Sequence, residues 1–161
     1  MGAQGNDESW LRRFGPRDAD CPSVDLWCSS RSESSFDRTL KAPHEVRAFV
    51  QRALCRAHAR RALGPVRLAA SEYSTEATLQ GDGPFLVRLV CDVTTVTLTV
   101  VYASTGVLWR PEVLQPTKMS FQIIDNISRA SGREVEEHEC TLWCSIPTGS
   151  TRGGRAGRYA G

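Results

Sequence analysis

Residues 85–102 constrain the fold more than any other part of the chain. Phe85, Val87, Leu89 and Cys91 alternate with Leu86, Arg88 and Val90. Val96, Leu98, Val100 and Tyr102 alternate with Thr95, Thr97, Thr99 and Val101. A period of two with this density of β-branched residues specifies strands and argues strongly against helix. Only Asp92-Val93-Thr94 separates the two runs, so they pair as an antiparallel hairpin. Each run has an apolar face that needs a second layer to cover it.

Helical segments on either side supply that layer. Pro43 suits the first turn of a helix, where its missing N–H is not needed. Val46, Phe49, Val50, Ala53, Leu54 and Ala57 follow at helical spacing, with Arg47, Arg52, Arg56, Arg60 and Arg61 on the other side. The pattern predicts one helix to about Leu63, stopped by Gly64-Pro65. A second helix is predicted over residues 66–79, through the stretch AASEYSTEATLQGDG. Val66, Ala69, Ala70, Tyr73 and Ala77 line one side of it. Glu72 and Glu76, one turn apart, share the other. Two acids so placed suit a metal or phosphate site, or a solvated face; spacing alone favours the solvated face. Gln80-Gly81-Asp82-Gly83 ends the helix in a sharp turn.

Residues 103–118, with Gly106, Pro111 and Pro116, are expected to form a long loop of the kind that serves as a lid or binding loop. A third helix is predicted over residues 119–130, with Phe121, Ile123, Ile124, Ile127 and Ser128 inward and Asp125, Asn126 and Arg129 outward. Residues 134–147 follow as one strand or a hairpin, with its core portion at 141–146. A short strand is also expected at residues 36–41. This order predicts an α/β (α+β) two-layer sandwich, with helices on one face of a mixed, mostly antiparallel sheet. Its ends are expected to be disordered. Residues 1–35 contain the run SSRSESS, which has no apolar period, and residues 148–161 are rich in Gly and Arg.

The chain of 161 residues has a formal net charge of +2, which does not argue for nucleic acid. The opening MGAQGNDESW lacks the apolar core of a secretory signal, and Arg88 and Asp92 interrupt the most apolar region. A cytoplasmic protein without membrane contact is therefore expected. The basic residues are almost all arginine, with only Lys41 and Lys118 as lysines, which suggests a GC-rich genome. Six cysteines without a secretory signal are expected as thiols. His138, Cys140 and Cys144 have spacing that a zinc ion accepts, but alternation along a strand makes the cysteines core residues.

The order of segments, and the residues in them, resembles the GHKL or histidine kinase-like ATPase fold. More narrowly, the chain is similar to the small actinobacterial anti-sigma-factor serine kinases. FDRTLKAPHEVRAFV looks like their first strand and helix, SEYSTEATLQGDG like their segment of the form S-E-L-x-x-N-A-x-x-H-G, SFQIIDNISRASG like the helix behind their lid, and CTLWCSIP like their closing strand. The resemblance covers residues 36–147, taken as one domain.

By that resemblance Glu72 falls on the glutamate that acts as general base. Glu76 stands where an asparagine holds magnesium on ATP. A carboxylate there adds charge beside a triphosphate, and like charges at roughly 4 Å repel by about 1 kcal/mol even in water. Ala103 stands where an aspartate reads the adenine, and only Gly106 remains of the D-x-G-x-G motif. The lid position carries Lys118 but no glycine in Thr117-Lys118-Met119-Ser120-Phe121. The resemblance thus implies a regulatory protein with a degenerate ATP site and no cofactor, acting by protein–protein interaction. Its expected partner is a sigma factor or anti-sigma antagonist, and a homodimer follows by analogy. The competing reading is an active serine/threonine protein kinase that uses ATP and magnesium. Glu72 is then the base, Glu76 the magnesium ligand, and Gly106 part of the adenine pocket.

Overall fold

The structure, a computed structural model, describes residues 29–104 and 115–148, with only the backbone of residue 57 and residues 115–120. The alternating runs form β2 (Phe85–Cys91) and β3 (Thr95–Ala103) of a five-stranded sheet. They pair antiparallel from Phe85↔Tyr102 to Cys91↔Val96. The connecting turn is closed by the Asp92 N–H donating to the Thr95 carbonyl at 2.8 Å. Residues 134–147, expected as one strand or a hairpin, belong to a hairpin of β4 (Ala130–Glu136) and β5 (Glu139–Pro147), whose first strand starts at the expected end of the third helix and takes in its predicted Ser131-Gly132 cap. β5 pairs with β3 through its entire length, and β1 (Ser30–Phe36) pairs with β2. The strand order is β1-β2-β3-β5-β4, and every pairing is antiparallel, not mixed.

β1 lies where SSRSESS was expected outside the fold; of the strand predicted at 36–41 only Phe36 belongs to it, and residues 37–41 are the turn that follows. The reason is its place at the sheet edge. Polar residues suffice there, and they also discourage further strand pairing. Arg88 holds β1 from the neighbouring strand, its Nε 2.6 Å from Glu33 Oε2.

One face of the sheet is apolar. Phe85, Val87 and Leu89, then Val96, Leu98, Val100 and Tyr102, then Cys140, Leu142, Cys144 and Ile146 are all buried. Helices α1 (Ala42–Ala53), α2 (Arg56–Gln80) and α3 (Gln115–Ile127) supply the second layer. Val46 and Val50 of α1, Ile124 of α3, and Ala62, Val66, Ala69, Ala70, Tyr73 and Ala77 of α2 join the same core. The architecture is a two-layer α+β fold. α3 begins at Gln115, inside the segment expected as loop, and Gly106 lies outside the described residues. So do the expected disordered segments, apart from residues 29–35 and Thr148.

The break between the first two helices is displaced from its predicted place. Gly64-Pro65 does not stop a helix; both lie within α2. The chain turns at Leu54 and Cys55, whose backbone is extended (ψ 125° and 152°). Ala62 and Val66, on either side of Pro65, are both fully buried against the core. Continuing that stripe outweighs the hydrogen bond that proline cannot make.

The other predicted stop is in place: α2 ends at Gln80, and the Gly81 N–H donates to the Ala77 carbonyl at 2.9 Å. A β-carbon on Gly81 would lie 2.6 Å from that carbonyl oxygen and 3.4 Å from the Tyr102 ring. Gly81→Ala is expected to destabilise the protein by about 1–3 kcal/mol, from overpacking against backbone that cannot step aside. Urea unfolding measures this, and an unchanged midpoint would contradict the close approach.

Candidate functional site

The helical period of α2 places Tyr73, Glu76 and Ala77 toward the sheet. Glu76 is only 6% exposed, so it does not share a solvated face with Glu72, which is half-buried. Two strands supply its partners. Tyr102, near the end of β3, donates its hydroxyl hydrogen to Glu76 Oε1 at 2.9 Å. Arg133 of β4 places Nη1 3.0 Å from the same oxygen. Arg133 also reaches the Tyr102 hydroxyl through Nη2 at 3.5 Å. Arg133 pairs with Leu142, whose side chain is in the core, so alternation turns the arginine toward the helical layer. Its side chain keeps 28% of its exposure.

Burial pushes the Glu76 carboxyl above its ordinary range, against the opposing influence of Arg133 and the Tyr102 hydrogen bond. Burial likewise raises the Tyr102 hydroxyl, which therefore remains a donor. Among the described residues, no buried side-chain nitrogen or oxygen lacks a hydrogen-bond partner.

The other residues singled out in the sequence lie as follows. Glu72 is one turn before Glu76 on α2. Ala103, the last residue of β3, is exposed, and its carbonyl accepts the Asp82 N–H at 3.0 Å, which ties the turn after α2 to the strand end. Lys118 belongs to α3, and only its backbone is described. Gly106 is outside the described residues. The structure thus gathers Glu76 with Tyr102 and Arg133, neither of which the sequence had singled out for this role. Nothing local in the sequence signals a contact between residues so far apart.

The other predicted cluster does not converge. His138 lies in the exposed β4–β5 turn, whereas Cys140 and Cys144 are core residues. Burial pushes the Cys144 thiol up to about 12. Among the described residues, the side chains that do converge are Cys55, His58 and Cys91, all buried, with their sulfur and nitrogen ligand atoms within 4.8 Å of one another. The Cys55-x-x-His58 spacing was the available sequence signal, hidden by the expectation of an unbroken helix there.

Neither a protein-family model nor a curated protein matches the chain. No helix among the described residues is long and apolar enough to cross a membrane.

Proposed function

We propose that this is a regulatory protein with the scaffold of the histidine kinase-like ATPases and a degenerate nucleotide site. It acts by binding a partner protein such as a sigma factor or its antagonist. The observation that carries this reading is the engagement of Glu76. The resemblance gives that position the task of holding magnesium on ATP. In this chain the carboxylate faces an arginine at 3.0 Å and accepts a tyrosine hydroxyl. A guanidinium already supplies the positive charge, so a metal ion would have to displace it. Ala103 offers no side-chain acceptor for an adenine amino group, and an unpaired buried donor costs about 1–3 kcal/mol. These residues do not fit a magnesium nucleotide, and no phosphoryl-transfer step is drawn through them.

The test is calorimetric titration of the full chain with a non-hydrolysable ATP analogue, with and without magnesium. No binding is expected in either case. Micromolar, magnesium-dependent binding would overturn the reading.

A further inference from the structure

We propose that Cys55, His58 and Cys91 form a binding site for one zinc ion, which fastens the start of α2 to the end of β2. The backbone points to this site first. A helix breaks at Leu54–Cys55 without glycine or proline. A break that no local signal calls for marks a place where another requirement decides. Cys55 occupies the N-cap of α2, where Ser, Thr, Asp or Asn would normally satisfy the first N–H groups, and its side chain makes no capping hydrogen bond. It points instead to His58, with Sγ 3.1 Å from Nδ1. Across the core, Cys91 closes the triangle from the last position of β2.

The geometry suits a tetrahedral ion. Zn–S bonds of about 2.3 Å and Zn–N bonds of about 2.0 Å place neighbouring ligand atoms about 3.5–3.8 Å apart. All three atoms lie within 4.8 Å of one another, so modest side-chain rotations close the site. Two sulfurs and an imidazole are borderline-soft ligands, matched to zinc rather than to magnesium or calcium. The three side chains are 5%, 6% and 1% exposed, and no acidic residue stands in the first turn of α2. The N-terminal end of that helix also favours the negative charge that two thiolates bring. On binding, each thiol releases its proton to solvent and its sulfur donates a pair to the metal. The fourth position of the tetrahedron is left to water. The site is independent of the regulatory reading and of its nucleotide test.

Cobalt(II) titration of the reduced, metal-stripped full chain tests the proposal. Expected is an end point at one equivalent, with an intense thiolate-to-cobalt charge-transfer band that zinc bleaches. Zinc at about a hundredfold excess over Kd should raise the thermal midpoint by roughly 5–10 °C. Cys55→Ser and Cys91→Ser should each weaken binding about 100-fold or more, while His138→Ala leaves it unchanged. X-ray absorption of the zinc-loaded wild-type chain, which needs no variant to fold, should show sulfur at about 2.3 Å. An all-oxygen shell, absence of a stoichiometric cobalt band, or a full band in both cysteine variants overturns the proposal.

Discussion

Arg133→Met should lower stability at neutral pH by about 2–4 kcal/mol, because it strands the Glu76 carboxylate in the core with only a tyrosine hydroxyl as partner. The figure sits somewhat below that for a fully buried pair, since Arg133 itself remains partly in water. The loss should depend on pH in a definite direction. Glu76 already has a pKa above its ordinary range, so the folded state holds this proton more tightly than the unfolded chain does. Its contribution is therefore full below the ordinary carboxylate range, about 4.3, and is lost as pH rises through the raised value. Without Arg133 the value rises further, so the variant should lose more stability over a wider span toward neutrality. Urea unfolding at several pH values measures this. Adding Glu76→Gln to Arg133→Met should recover most of the loss, because the amide oxygen still accepts from Tyr102 and no buried charge remains. A loss that stays constant from acid to neutral pH would show that the ion pair is not its origin.

Pro65→Ala should stabilise the protein by about 2 kcal/mol. In the interior of α2 the proline withholds an N–H from the Arg61 carbonyl and crowds it, at a cost of about 3 kcal/mol relative to alanine. Proline also restricts the unfolded chain, which offsets about 0.4–1 kcal/mol of the gain. Gly64→Ala should add about 1 kcal/mol, since a β-carbon there meets nothing within 4 Å. The expected readout is a higher urea midpoint with an unchanged slope. If both substitutions destabilise, residues 56–80 are not one helix.

The elements legible in the sequence are those whose burial repeats locally. β2, β3 and β5 each bury alternate residues, and the apolar stripe of α2 is buried at Val66, Ala69, Ala70, Tyr73 and Ala77 as its spacing implied. β1 was not legible because half its residues face solvent and the rest are mostly serines, so no apolar period exists to be found. The helix break was misplaced because Gly64-Pro65 is a strong local stop signal, and only the packing of Ala62 and Val66 on either side overrules it. The Glu76 site was half legible. The resemblance drew attention to the position, but burial there depends on an arginine brought close by a hairpin much later in the chain. The Cys55 cluster shows the same limit: His58 is visible three positions on, whereas Cys91 joins only once the sheet has formed.

The two outer strands, SRSESSF and ASGREVE, have a consequence for behaviour in concentrated solution. An open sheet offers two rows of unsatisfied backbone groups, on which other chains can template. Here those borders carry Arg31 and Glu33 at one end and Arg133, Glu134 and Glu136 at the other, so an incoming strand must desolvate charge before it can bond. Fibril-like stacking is thereby discouraged at both margins, and copies that associate do so more readily through another surface.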